Sequence, residues 1–254
     1  MFELNKIYNG DCLDVMQGID DKSVDLILCD LPYSTTPLKW DSIIPFEPLW
    51  DAYKRIIKPD GAIVLFAVQP FTTMLMSSNL DMWKYNWVWV KDNGTNFLNS
   101  HFQPLKITED ICVFSFSAAS QNSNPMTYNP QMREGFDSYV RVGGERKPNA
   151  VTRSKLQRCT TNNDGTRYPT NILYFKRDKE KLHPTAKPVD LLRYLIRTYT
   201  GEGGLVLDNC AGSGSTCIAA IREKRNWIGI ELDEGYFNLA SERIALEKRQ
   251  LTLF

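Results

Sequence analysis

Short apolar runs alternate with amphipathic segments at both ends of this 254-residue chain, and that alternation constrains the fold more than any other feature. The apolar runs suit buried parallel strands, at residues 25–29, 62–67, 85–90, 111–116, 204–208 and 227–232. Between them, apolar side chains recur at helical spacing, at residues 46–58, 188–199, 215–224 and 234–250. The pattern predicts an α/β fold with a doubly wound, mostly parallel sheet of the Rossmann-like kind.

The middle of the chain interrupts this pattern. Residues 118–182 are rich in Ser, Asn, Gln, Gly, Pro and Arg, with one short apolar run at 171–175. They carry 12 Lys and Arg against six acids, a surplus of six positive charges, although the whole chain has no net charge. The charge separation predicts an inserted region that faces a polyanion, and a solvated loop region is the alternative. The expected division is therefore 1–117, 118–182 and 183–254.

Several protein classes are excluded by what the sequence does not contain. No apolar run reaches the roughly 18–20 residues that a membrane helix needs. The N-terminus has no basic segment followed by an apolar one, so a secretory signal is not expected. Six cysteines without a C-x-x-C pair, together with two histidines, make a metal site improbable. These features predict an intracellular protein without a metal.

A strand-to-helix turn near the C-terminal end has the composition of a ligand-binding loop. Small residues allow a tight turn, and the following helix offers unpaired N–H groups; the turn contains Asp208, Asn209, Cys210, Ala211, Gly212, Ser213, Gly214, Ser215 and Thr216. It is neither the G-x-G-x-x-G of dinucleotide binders nor a Walker loop. Glu231 ends the next predicted strand, 23 residues after Asp208, where a carboxylate can accept both hydroxyls of a ribose.

A second polar turn, Asp30-Leu31-Pro32-Tyr33, follows the predicted strand at 25–29. An amino group on an aromatic ring is a poor nucleophile because its lone pair is delocalised into the ring. A carboxylate at Asp30 and the carbonyl of Leu31 could each accept one of its hydrogens and turn the lone pair toward an electrophile. Pro32 would fix the turn, and Tyr33 would offer a face for stacking a planar base.

Together these segments resemble the amino-methylating DNA methyltransferases of the β group, in which the catalytic motif precedes the cofactor motif. The resemblance rests on residues 30–33, residues 208–216, the segment His-Pro-Thr-Ala-Lys-Pro at 183–188 and Asn-Gly-Asp-Cys-Leu at 9–13. It extends through residues 87–91 and 109–114, and covers most of 5–117 and 183–245.

The resemblance implies S-adenosylmethionine as the cofactor and double-stranded DNA as the partner. It implies a base site at Asp30, Leu31, Pro32 and Tyr33, and a cofactor site at Asp11, Cys12, Thr185, Lys187, Asp208, Ala211, Gly212, Ser213, Gly214, Ser215, Thr216 and Glu231. Residues 118–182 become the target-recognition insert, with candidate DNA contacts at Arg133, Arg141, Arg146, Arg153, Arg158 and Arg167. A bacterial or phage-encoded cytoplasmic enzyme is expected, and a homodimer is one of its possible states.

Two departures from the family pattern bear on the site. Leu31 replaces the usual first Pro of the catalytic motif, and Asn209 and Cys210 replace the usual Pro-Phe, which removes an aromatic wall beside the cofactor adenine.

The resemblance leaves the target atom open between two amines. N6 of adenine is favoured because the motif begins with Asp, whereas N4-cytosine enzymes more often begin with Ser. Methylation at cytosine C5 is disfavoured because no Pro-Cys dipeptide supplies its nucleophile. A non-catalytic DNA-binding relative is the remaining alternative. The target sequence, and whether a restriction enzyme accompanies the protein, stay open.

Overall fold

A computed structural model describes residues 2–33, 42–121, 124–143, 160–178 and 186–251. The chain divides into two compact units. One comprises Met1–Asn129 together with Asn171–Phe254, and the other is Pro130–Thr170. The first is called the body here, and the second the insert unit.

The body is built on an eight-stranded sheet, whose strands are β1 (Lys6–Asn9), β2 (Val24–Cys29), β3 (Ile57–Ala67), β4 (Trp83–Thr95), β5 (Lys106–Phe114), β8 (Ile172–Tyr174), β9 (Leu205–Asp208) and β10 (Asn226–Glu231). The strands β6 (Tyr139–Val142) and β7 (Thr160–Asn163) belong to the insert unit. The order of the strands in the sheet is β1-β10-β9-β2-β3-β5-β4-β8. All but β5 run in the same direction, because β5 pairs antiparallel with both β3 and β4. The predicted mostly parallel α/β sheet is confirmed.

Six α-helices in the described part of the chain connect or flank the strands: α1 (Cys12–Met16), α2 (Phe46–Ile56), α3 (Phe71–Ser78), α4 (Val189–Tyr199), α5 (Ser215–Arg222) and α6 (Glu234–Leu251). The helical spacing has a direct structural reason. In α2 the residues Leu49, Trp50, Tyr53 and Ile56 are buried, and they form one stripe at intervals of three or four. No helix in the described ranges has the length and apolar content that crossing a membrane requires.

Two apolar clusters, one on each face of the sheet, make up the core. The first contains Leu26, Leu28 and Val64 with helix residues such as Leu195 and Ala219. The alternate residues of the same strands belong to the second cluster, with α2 residues such as Tyr53. Because successive side chains of a strand point to opposite faces, a strand covered on both sides must be apolar throughout. This explains the continuous apolar runs in the sequence.

The sequence underestimates the length of β3 and β4. The sequence predicts a helix over 46–58 and a strand from 62, but β3 begins at Ile57 and continues through Pro59, Asp60 and Gly61, with a shift in its register against β2. A side chain at position 61 would meet the carbonyl of Asp25 at 2.9 Å, so glycine allows this close approach. β4 extends to Thr95, five residues beyond the apolar run that predicted it.

The predicted insert of 118–182 is wider than the compact unit of 130–170. Residues 172–174 form β8, which pairs with Val88, Trp89 and Val90 at the edge of the sheet. Asn129 is fixed to the body by its N–H, which donates to the carbonyl of Thr198 at 2.7 Å. Its side-chain amide donates to the carbonyls of Arg197 and Thr200 at 3.2 and 3.1 Å. The carbonyl of Asn171 accepts from the N–H of Val88 at 2.8 Å.

Within the insert unit, β6 (Tyr139–Val142) and β7 (Thr160–Asn163) form an antiparallel pair. A second antiparallel bridge joins Arg133 to Arg167. Both strands are largely exposed, in contrast with central strands of the body such as β2 and β9.

Candidate active site

The two polar turns that the sequence singles out lie on neighbouring strands. β2 pairs in parallel with β9, Leu26 opposite Val206 and Ile27 opposite Leu207. Asp30 follows the end of β2 and Asp208 ends β9, so both carboxylates lie at the carboxyl edge of the sheet. Both also line one cavity of about 570 Å³, whose described lining belongs to the body. Crevices at this edge of doubly wound sheets are where such folds bind ligands.

The turn after β9 is shaped by two glycines with left-handed backbone. Gly212 has φ of 51° and Gly214, immediately before α5, has φ of 76°. A side chain at 214 would also lie 3.2 Å from the side chains of Ala240 and Ile244. The turn is tied to the neighbouring strand because the N–H of Ala211 donates to the carbonyl of Ile230 at 2.8 Å. It therefore presents backbone groups to the cavity.

Glu231 ends β10 beside this turn. Its Oε2 accepts from the N–H of Gly212 at 2.7 Å, and its Oε1 accepts from the N–H of Asp233 at 2.9 Å. Burial raises the pKa of this carboxyl above its ordinary value, although these hydrogen bonds oppose the shift. Each carboxylate oxygen can accept a further hydrogen bond, so Glu231 keeps acceptor capacity toward the cavity.

Asp208 is buried more completely, and its Oδ1 accepts from the N–H of Cys210 at 3.1 Å. Burial raises the pKa of Asp208 to about 6, against hydrogen bonds from Thr216, Cys210 and Cys29 that favour the charged form. A carboxyl with this pKa changes its charge between mildly acidic and neutral pH.

The remaining small residues of the turn support its geometry. Ser213, Ser215 and Thr216 are buried. Arg243 on α6 donates to the carbonyl of Ser213 at 3.1 Å and to the hydroxyl of Ser215 at 2.9 Å. All three small residues nevertheless line the cavity.

Asp11 and Cys12 follow β1, in which Asn9 is paired with Glu231, and both line the cavity. Asp11 caps α1, accepting from the N–H of Leu13 at 2.8 Å. Asn209 is buried and accepts from the hydroxyl of Tyr53 at 2.6 Å, so a hydrogen bond in the core holds this residue in place.

At the other end of the cavity, both oxygens of Asp30 have a partner. The hydroxyl of Tyr33 donates to Oδ1, and the ammonium of Lys187 donates to Oδ2. The ring of Tyr33 packs against Phe71 with centroids 4.9 Å apart. Leu31 is buried, and Pro32 also lines the cavity. Burial raises the pKa of Asp30, while the positive charge of Lys187 opposes the shift.

Lys187 belongs to a row of four alternating charges: Asp30, Lys187, Glu109 and Lys91. Lys187 Nζ lies 3.4 Å from Glu109 Oε2, and Lys91 Nζ lies 2.5 Å from Glu109 Oε1. Burial alone would raise the pKa of Glu109, but its two lysine partners outweigh that and lower it. Burial would lower the pKa of Lys187, and its two carboxylate partners raise it instead. The pKa shifts of Glu109 and Lys187 therefore both favour the charged form.

Glu109 and Lys91 are site residues that the sequence did not identify. The sequence did contain an indication of their role, because each is a charged residue beside an apolar strand segment. Lys91 follows the segment that contains Trp87 and Trp89, and Glu109 precedes the segment that contains Ile111. What the sequence could not supply is their partner, because Lys187 lies far along the chain and reaches them only through the fold. Thr185, also expected at the site, lies outside the described residues.

Of the six arginines expected to contact DNA, three lie in the described part of the insert unit. The guanidinium groups of Arg133 and Arg167 lie 5.3 and 5.2 Å from the ring centre of Phe136. Arg167 also donates to the carbonyl of Asp137 at 2.9 Å. Arg141 lies on β6, whose four residues are all exposed. Arg146, Arg153 and Arg158 lie outside the described residues.

The family model and the relatives that match this chain all point to the same protein family. The DNA methylase family model (N6_N4_Mtase) matches residues 24–242. The chain is 43% identical to the methylase YubD of Escherichia coli, over 98% of this chain and 93% of the relative. It is 30% identical to the type II methyltransferase M1.MboII of Moraxella bovis, over 95% and 96% of the two chains.

A solved structure shares the fold. The M1.HpyAVI–SAM complex superposes with a TM-score of 0.62 at 22% identity, covering 94% of this chain and 98% of the other. The chain belongs to the DNA methylase family, and is a DNA methyltransferase of the N6-adenine and N4-cytosine group.

Proposed function

We propose that this protein transfers a methyl group from S-adenosylmethionine to N6 of an adenine in duplex DNA, after that adenine has rotated out of the helix. The observation that carries the proposal is the shared cavity, into which Asp30 and Asp208 open from adjacent strands. One end presents acceptors for a nucleoside, and the other presents an acceptor for an amino group.

The residues present fit S-adenosylmethionine. Glu231 retains acceptor capacity for ribose hydroxyls, and Asp11 and Cys12 line the same part of the cavity. Asp208 and Glu231 receive hydrogen bonds from backbone N–H groups and from the hydroxyl and thiol of Thr216 and Cys29. A positively charged ligand would therefore complement their negative charge. When bound, S-adenosylmethionine supplies an electrophilic methyl group on a cationic sulfur.

Asp30 would act as the hydrogen-bond acceptor for the target amine. A carboxylate oxygen can accept a second hydrogen bond, so the amine can bind while Lys187 and Tyr33 keep their contacts. The carbonyl of Leu31 would accept the other amine hydrogen. Lys187 would keep Asp30 ionised at the pH where the enzyme works, which compensates for the cost of burying the carboxylate. The protein's contribution is orientation and polarisation of the nitrogen.

The insert unit would recognise the DNA. Sequence residues 130–170 carry eight Lys and Arg against four acids, which suits contact with phosphates. Arg133 and Arg167 pack on Phe136, so Arg141 on the exposed β6 is the described arginine that best fits a phosphate contact. Association of two copies stays a prediction.

The experiment is methyl transfer from tritiated S-adenosylmethionine to unmethylated duplex DNA, followed by digestion to nucleosides and mass spectrometry. N6-methyladenine as the product supports the proposal. N4-methylcytosine as the product would support methylation of an amino group but show that the target base is cytosine. 5-Methylcytosine, or no methyl transfer, would contradict both the proposed reaction and the proposed target. Asp30→Ala, which removes the proposed acceptor, is the control for contaminating activity.

A further inference from the structure

The turn between β4 and β5 exposes an unusual amount of apolar side chain. β4 ends at Thr95 and β5 begins at Lys106, and a single 3-10 turn, Phe97–Asn99, lies between them. Leu98 is 95% exposed, Phe102 is 89% exposed and Phe97 is 66% exposed. Scattered exposed apolar residues are normal on protein surfaces, but three large ones within six residues mark an interaction site. Residues 96–105 are called the hairpin tip here.

The hairpin tip grows out of the carboxyl edge of the sheet that carries the active site. β4 runs parallel to β2, because both β4 and β3 are antiparallel to β5 and β3 is parallel to β2. Through Leu65 and Cys112, Cys29 at the end of β2 is level with Asn86 of β4. β4 continues from there to Thr95, and both Lys91 and Thr95 line the cavity. The hairpin tip therefore begins at the rim of the proposed base site.

The chemistry of the hairpin tip favours DNA as its partner. From residue 93 to residue 108 the sequence contains no Asp or Glu, and it includes Lys106 and His101. Asp92 at its base is paired with Arg177 at 3.0 Å. Between the apolar residues are Asn, Ser and Gln side chains, which can hydrogen-bond to base edges and phosphates.

A second copy of the chain fits the hairpin tip less well. A stable protein interface uses about 20–30 residues from each partner, whereas the tip offers ten. Binding of DNA does not require so many residues from the hairpin tip, because contacts between other parts of the protein and the phosphates supply much of the affinity. A few apolar side chains suffice to occupy a gap between stacked bases.

We propose that the hairpin tip inserts Leu98 and Phe102 into the DNA stack beside the rotated base. This inference rests on the proposed function, since it assumes that a base enters the cavity. Rotating a base out of the helix costs a few kcal/mol in lost stacking and pairing, and leaves a gap in the duplex. Apolar side chains that occupy the gap stabilise the open state, as wedge residues do in other DNA-bending proteins. The wedge would therefore act on duplex opening, separately from methyl transfer.

The double variant Leu98→Ser and Phe102→Ser tests the inference. The matched control is Leu80→Ser, an exposed leucine that follows α3. The wild type and both variants are bound to unmethylated plasmid fragments with saturating S-adenosylhomocysteine, and unstacked thymines are mapped by permanganate oxidation. We expect the wild-type protein and the Leu80 variant to make thymines reactive at the sites that the enzyme methylates when S-adenosylmethionine is present. We expect the double variant to reduce that reactivity by about tenfold or more.

Methyl transfer to duplex and to heat-denatured DNA of the same sequence is measured in parallel. The duplex rate of the double variant should fall by about tenfold or more, and the ratio of denatured to duplex rate should rise. Unchanged permanganate reactivity, or an equal loss with Leu80→Ser, would overturn the wedge. If the wild type sediments as a dimer and the double variant sediments as a monomer, the hairpin tip contacts a second copy of the chain, and the proposed insertion into DNA is wrong. A wild type that opens DNA without methylating it would contradict the proposed function and leave the wedge intact.

Discussion

The two ends of the cavity are built in different ways. The cofactor end consists of one contiguous turn, residues 208–216, and a carboxylate on the next strand, held mainly by backbone hydrogen bonds. The base end is assembled from side chains of distant segments, in which Asp30, Lys187, Glu109 and Lys91 form largely buried ion pairs. The comparison teaches that a site made of backbone can be recognised from a local motif, whereas a site made of ion pairs needs the fold.

Their electrostatics differ as well. At the base end two lysines balance two carboxylates, so the charges compensate each other without a ligand. At the cofactor end, two buried carboxylates are supported by hydrogen bonds from neutral donors, and burial raises the pKa of both. Ligand binding should therefore respond to pH at one end, and catalytic rate should respond to charge substitution at the other.

The largest effect should come from Asp30→Ala. Loss of the acceptor removes the polarisation of the amine, and we expect kcat to fall by about 1,000-fold or more while the Kd for S-adenosylmethionine changes little. Single-turnover methyl transfer and calorimetry measure the two quantities. Asp20→Ala, an exposed carboxylate outside the cavity, is the control. If the Asp30→Ala variant transfers methyl groups at a rate near that of the wild type, Asp30 is not the acceptor for the target amine.

The next effect is on cofactor affinity. Glu231→Gln replaces a charged acceptor by a neutral one, and we expect the Kd for S-adenosylmethionine to rise about 10- to 100-fold. Asp208 has a pKa of about 6, and its ionised form attracts a cationic ligand. Affinity should therefore weaken as pH falls from 7 to 5, and Asp208→Asn should flatten that dependence. Calorimetry across this range decides it, and a dependence unaltered in the Asn variant would assign the titration to another group.

A smaller and more specific effect is a pair of opposite shifts in the pH profile. Asp30 works ionised, so kcat should fall as pH drops through its pKa. Lys187→Met removes the cation that lowers the pKa of Asp30, and the acid limb should move to higher pH. Glu109→Gln removes an anion that raises the pKa of Asp30, and the limb should move to lower pH. If both variants shift the acid limb in the same direction, the four alternating charges do not set the pKa of Asp30. A general loss of structure would not produce shifts in opposite directions.

The smallest effect should come from the insert unit. Arg141→Ala removes one exposed cation, and we expect the slope of log affinity for DNA against log salt to decrease by about 0.9. Fluorescence anisotropy with a labelled duplex measures the slope, and Lys84→Ala in the body is the control. Methyl transfer at saturating DNA should be unchanged. If the slope remains that of wild type, Arg141 does not contact a phosphate.

Much of the body could be predicted from the sequence, because strands covered on both faces are apolar throughout and amphipathic helices have a regular period. The motif at 208–216 could also be recognised from the sequence, because the geometry of the turn depends on residues that are neighbours in the chain. The partners of Lys187 could not be inferred, because ion pairing across the sheet depends on strand order. Nor could the role of Arg167, whose guanidinium packs on Phe136 and Tyr139 within the insert unit. A count of positive charges does not distinguish such an arginine from one that meets DNA.

The attachment of the insert unit has a consequence for how enzymes of this kind diversify. Asn129 and Asn171, the body residues on either side of it, are each held by backbone hydrogen bonds within the body. The partners of these hydrogen bonds all lie in the body, at Val88, Arg197, Thr198 and Thr200, so residues 130–170 can change in length and sequence without altering those bonds. Selection for a new DNA target and selection for catalytic rate then act on separate stretches of the gene. The segment between the two asparagines is the natural unit of exchange when such enzymes are recombined to recognise new sites.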